Sequence, residues 1–170
     1  MKELKSLGRA LPVTFVCVTA AGGILHGLFE LWPSILTEFA APVNESIWEH
    51  LKIVFWPLLA GLPVLYGRER RSGVLAAVLL CCGVMLLAGW LIHIVAGYPP
   101  GGLDVLLYIL LMGAGCVMPS CLHVSEEWFT LLMGGVILLV GLLVAFSIMP
   151  PDLLLFHDAS LVDAWVVHPC

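Results

Sequence analysis

The sequence predicts an all-α integral membrane protein, a bundle of five transmembrane helices with its amino terminus in the cytoplasm and its carboxyl terminus outside. Three observations carry this expectation. The chain is 61% hydrophobic and 11% charged, whereas about a quarter of the residues in a soluble domain are charged. Its mean hydropathy is +1.08. Its apolar residues also fall in continuous blocks close to the roughly 20 residues that a helix needs to cross a hydrocarbon core. The blocks do not alternate in polarity as barrel strands do. In lipid, each backbone amide of such a block has to be satisfied within its own segment, which means helix.

Five blocks qualify, at residues 11–32, 47–65, 73–97, 103–118 and 128–149, within a single domain spanning residues 1–170. The fourth is the shortest and can run on to Cys121. The first begins like a signal peptide, with Lys2, Lys5 and Arg9 before an apolar run. Its apolar run, however, continues past the small residues to Trp32, so a retained span is expected. The short link containing "EFAAP" makes the first two spans antiparallel neighbours, and "YPPGG" turns the third span into the fourth. The tail, 150–170, is too interrupted to span. It reads as an interfacial or lid-like segment, with Ser160 and Asp163 opening a short helix.

Orientation follows from the basic residues. Lys2, Lys5 and Arg9 precede the first span, and Arg68, Arg70 and Arg71 separate the second from the third. With five spans, both groups share one side, which is then the cytoplasmic one in a multi-pass protein of the cell membrane. The outer side receives Glu30, Glu38, Glu45, Glu49, Asp104, Asp152, Asp158 and Asp163, with His26, His50, His93, His157 and His168. Glu3, Glu69, Glu126, Glu127 and His123 go inside. The formal charge of −5 is therefore an acidic, His-rich outer mouth over a basic inner face. Beyond this topology signal there is no basic patch to serve a nucleic acid.

Candidate chemistry gathers at the outer end. In the first span Thr19, Gly23, His26, Gly27 and Glu30 form one stripe, and Gly23 and Gly27 make a G-x-x-x-G pair suited to close helix packing. Cys81, Met85, Gly89, His93 and Gly97 form a matching stripe in the third span. Asp104 and Tyr108 start the fourth, and Glu30, Glu45, Glu49 and Asp104, all expected at similar depth, are the candidate partners of His93.

The second span opens on "APVNESIWEHLKIVFWP". Helical spacing puts Glu45, Glu49 and Lys52 on one face and Ser46 and His50 on the adjacent strip. Ser46 and Glu49 have the spacing of a capping box, and Lys52 is expected to snorkel outward and pair with Glu49. Capping does not account for both glutamates, His50 and Lys52 together. Pro57 and Pro63 further along predict a kink.

This stretch, with "LHGLFELW" upstream, resembles an uncharacterised family of small bacterial polytopic membrane proteins that carry an Asn-Glu-Ser-x-Trp-Glu-His-Leu-Lys segment. The matching residues are Asn44, Glu45, Ser46, Trp48, Glu49, His50, Leu51 and Lys52, together with His26 and Glu30. The resemblance implies a bacterial membrane protein and carries no activity.

Two functional readings follow. In the first, His26, Glu30, Glu45, Glu49, His50, Lys52, His93 and Asp104 line a polar cavity that binds or transports a cation, a proton or a small polar ligand. In the second, the chain is a metal-dependent hydrolase acting at the outer leaflet. His26, His50 and His93 then hold zinc or another divalent metal, and Glu45 or Glu49 serves as base. Against both stands a structural or accessory subunit whose polar cluster only holds helices together. The expected partners are the lipid bilayer and a small polar ligand or cation, with self-association or a partner subunit left open. A weaker metal pattern, Cys116, Cys121 and His123, lies at the inner end, and no nucleotide or hydrolase fingerprint occurs.

Overall fold

A computed structural model describes residues 2–99 and 101–158, with side chains from residue 10 onward. Among these residues there are six α-helices: α1 (Lys2–Leu31), α2 (Ile35–Ala40), α3 (Leu51–Tyr66), α4 (Arg71–Gly89), α5 (Gly102–Cys121) and α6 (Phe129–Ile148). No strand occurs among the described residues. Among the described residues, four helical stretches are long and apolar enough to cross a membrane: Ala10–Leu31, Arg68–Val95, Gly102–Cys121 and Glu126–Ile148.

The second expected span differs. Its regular helix, α3, begins only at Leu51 and has 16 residues, a length of about 24 Å at 1.5 Å per residue. That falls short of a hydrocarbon core of roughly 30 Å. Residues 41–50 are bends and turns instead. Ser46 accepts from the Glu49 amide at 3.2 Å, and the Asn44 side chain accepts from the Ser46 amide at 3.0 Å. These polar side chains cap a turn, so the segment arrives as a folded loop and becomes helix one turn late.

α3 is nevertheless the centre of the bundle, with Leu51, Val54, Phe55, Leu58 and Leu62 all completely buried. It runs antiparallel to α1. A side chain added at Gly22 would strike the Ile53 carbonyl and the Tyr108 hydroxyl, and one added at Gly61 would strike Val18. The close approach therefore falls on Gly22. The expected pair, Gly23 and Gly27, faces open space, since an added Cβ there meets nothing within 4 Å. At the opposite end, the Tyr66 hydroxyl donates to the Cys116 carbonyl at 2.6 Å and Arg70 donates to the Pro119 carbonyl at 2.8 Å. Arg71 pairs with Glu126 at 2.5 Å and lies over the Phe129 ring. The basic cluster thus lies at the opposite end of the bundle from His26, His50 and His93.

The segment expected as the third span ends irregularly. After Gly89 the chain makes a π-helical stretch, Trp90–Val95, capped at Ala96 and followed by Gly97 with φ +69°. Such widened turns re-aim the side chains they carry, and this one carries His93.

The start of the tail folds back. The Trp48 amide donates to the Leu155 carbonyl at 3.1 Å, and the Trp48 ring packs on Phe146 and Phe156 at 5.3 and 5.0 Å between centroids. The helix expected near Ser160 and Asp163, along with His168, lies outside the described residues.

Candidate metal centre

Three side chains from two separate parts of the chain converge near one end of the bundle. His26 comes from the last turns of α1, Glu45 from the bent segment and His50 from the turn that opens α3. The Nε2 atoms of His26 and His50 are 3.3 Å apart, and Glu45 Oε2 lies 3.3 Å from His50 Nε2 and 3.7 Å from His26 Nε2. The two imidazole rings meet edge to face.

The tautomer of His50 follows from its other nitrogen. Nδ1 is 2.8 Å from the Ser46 carbonyl oxygen. A carbonyl only accepts, so Nδ1 carries the hydrogen. In neutral His50, Nε2 then presents a lone pair to a carboxylate and to a second imidazole. Neutral His26 can carry its hydrogen on Nε2 and donate to His50 Nε2 at 3.3 Å; with that hydrogen on Nδ1 instead, three lone-pair-bearing atoms face one another and can hold a metal ion.

The distances also suit a metal. Bonds of about 2.0–2.1 Å to imidazole nitrogen or carboxylate oxygen give a tetrahedron with edges of about 3.3–3.4 Å. Two of the three separations match this and the third is a few tenths of an ångström longer. The carbonyl behind His50 is the outer partner usual for a ligating histidine. Among the described residues this is the group of three or more metal-type side chains within reach of one ion. Cys116, Cys121 and His123 do not form one.

The group opens onto a cavity of about 310 Å³, also lined by Ile47, Met85, Gly89, His93 and Asp104. A second lobe of about 330 Å³ shares His26, His50, Met85 and Asp104 and adds Gly23, Ile53 and Tyr108. His93 faces the cavity but is placed differently from the expected zinc ligand. Its Nε2 lies 2.7 Å from Asp104 Oδ1 and its Nδ1 lies 2.8 Å from the Tyr98 carbonyl oxygen. Asp104 Oδ2 accepts from the Gly101 amide at 2.7 Å. The π-helical stretch aims His93 at this loop, and Glu45 occupies the third position beside His26 and His50.

Other expected site residues lie elsewhere. Lys52 is completely buried, and its ammonium donates to Glu49 Oε2 at 2.6 Å, the Glu38 carbonyl at 2.6 Å and the Ala41 carbonyl at 3.1 Å. Glu49 also accepts from the Val43 amide at 3.0 Å and the Ser147 hydroxyl at 2.9 Å. Lys52 therefore satisfies carbonyls at the end of α2 that helix geometry leaves free. Both charges are engaged with the fold and neither lines the cavity. The expected outward snorkelling of Lys52 does not occur, although its pairing with Glu49 does. Glu30 is exposed and does not line the cavity. Ser147, which anchors Glu49 from α6, carried no sequence signal beyond being a polar residue in an apolar span.

No protein-family model matches this chain, and no curated protein or solved structure is significantly similar to it.

Proposed function

We propose that this chain is a five-span membrane protein that binds a zinc-class divalent cation on His26, Glu45 and His50 at its outer mouth. The observation that carries the reading is the triangle of three ligand atoms at 3.3, 3.3 and 3.7 Å, with the His50 lone pair turned into it by the Ser46 carbonyl. Two histidines and one glutamate form a known zinc ligand set that leaves a fourth position open. Lys52 does not oppose a cation here, because its charge is neutralised by Glu49 away from the cavity.

Topology supports the placement. Irregular backbone at membrane depth is tolerated where protein covers it, and Ala41, Pro42, Ser46, Ile47, Trp48 and Glu49 are buried. The turn before α3 can therefore complete its crossing. The Arg68, Arg70 and Arg71 end is then cytoplasmic. Binding is favoured over passage through the bundle. Beneath the cavity, Leu58, Cys81, Met112 and Cys116 are completely buried and form an apolar plug.

Metal analysis of the purified chain tests this. One zinc per chain is expected, with His26→Ala, His50→Ala and Glu45→Gln each losing it and His93→Leu keeping it. Folded wild-type protein without stoichiometric metal after zinc loading would refute the reading.

A further inference from the structure

We propose that the centre is hydrolytic and that its substrate is the carboxylic ester of an amphiphile with an apolar acyl chain. The inference rests on the metal reading above and goes beyond it in chemistry.

The first argument is the open coordination. Structural zinc sites are closed by four protein ligands, whereas catalytic sites hold three and keep a position for water. Here three ligands face a cavity, and His26 and Glu45 remain 43% and 37% exposed. A water in the fourth position becomes a nucleophile near neutral pH.

The second argument is Asp104. It borders both lobes of the cavity together with His26 and His50. The Gly101 amide and His93 fix its two oxygens from the protein side. Each carboxylate oxygen retains a further lone pair, so Asp104 can accept a hydrogen bond from the attacking water.

The third argument is the shape of the second lobe. Apart from His26, His50 and Asp104, its walls are Gly23, Ile53, Met85, Val105 and Tyr108. The Tyr108 hydroxyl is engaged by the Thr19 carbonyl at 2.6 Å, so the ring presents carbon. An apolar slot beside a polar reaction centre suits a molecule with a polar head and a hydrocarbon tail. On a lipid-facing bundle such molecules are at hand in the bilayer.

The step balances without redox chemistry. The water oxygen bonds to the ester carbonyl carbon and one water proton passes to Asp104. The acyl C–O bond then breaks, and the proton moves from Asp104 to the departing alkoxide. The products are a carboxylic acid and an alcohol.

The test uses the full chain, purified in detergent and loaded with zinc, against p-nitrophenyl butyrate, octanoate and laurate. Zinc-dependent hydrolysis is expected, faster with the longer chains. Asp104→Asn is expected to keep one zinc per chain and to lose about 100-fold or more in kcat, the scale of a lost proton acceptor. Gly23→Leu projects into open space and fills the lobe. It should keep zinc while shifting preference towards butyrate. One zinc per chain with no hydrolysis above the zinc-free protein would overturn this inference and leave metal binding intact. So would an Asp104→Asn variant at full rate. Failure to bind zinc would overturn both.

Discussion

Lys52 and Glu49 meet at 2.6 Å in the interior of the bundle, yet neither reaches the cavity one turn away, where Glu45 and His50 face His26. One short polar stretch thus has two tasks. Glu49 and Lys52 join α2, α3 and α6, while Glu45 and His50 build the candidate centre.

The pair is expected to dominate local stability. Replacing Lys52 with Met leaves the Glu49 carboxylate buried without its cation. Removing one partner of a buried ion pair costs about 3–5 kcal/mol. Lys52→Met should therefore lower the unfolding midpoint strongly in detergent, and the double variant Lys52→Met with Glu49→Gln should recover part of the loss. An unchanged midpoint in Lys52→Met would show that the pair contributes little.

Ser147 tests the same junction from α6. Its hydroxyl donates to Glu49 Oε1 at 2.9 Å. Ser147→Ala should cost about 1–3 kcal/mol, the penalty for leaving a buried acceptor short of a donor. Zinc stoichiometry should stay at the wild-type value, because Glu49 is no ligand. Denaturant titration alongside metal analysis separates these effects.

Zinc affinity should depend on pH with a definite sign. Metal and proton compete for His50 Nε2, which lies 3.3 Å from Glu45 Oε2. Once the pH is low enough to protonate the ligands, each displaced proton should weaken binding by about tenfold per pH unit. Chelator competition across neutral and mildly acidic pH measures it, and a flat profile would contradict His50 as a ligand.

Neighbouring glycines should respond oppositely. Gly22→Val drives a side chain into the Ile53 carbonyl and the Tyr108 hydroxyl, and overpacking of this kind costs about 1–3 kcal/mol. Gly23→Val meets open space and should leave the melting temperature nearly unchanged. Equal effects would mean that α1 and α3 do not approach as described.

Composition and block length were enough to establish an all-helical chain with long apolar segments, because hydrocarbon-length runs leave the backbone no other way to satisfy its amides. Local polarity also marked where chemistry would gather: His26, Glu45, His50, His93 and Asp104 all reach one cavity. Which of them meet was a tertiary decision. Helical spacing assigned Glu45, Glu49 and Lys52 to one face. The regular helix begins only at Leu51, so that period does not hold through residues 41–50, and Glu45 and Glu49 part company. The π-helical stretch likewise brings His93 to Asp104, one of the four carboxylates at similar depth that the sequence offered as its partner. The close approach moved from Gly23 to Gly22 because packing against α3 sets the rotation of α1, and that contact lies in the partner helix rather than in the spacing of α1.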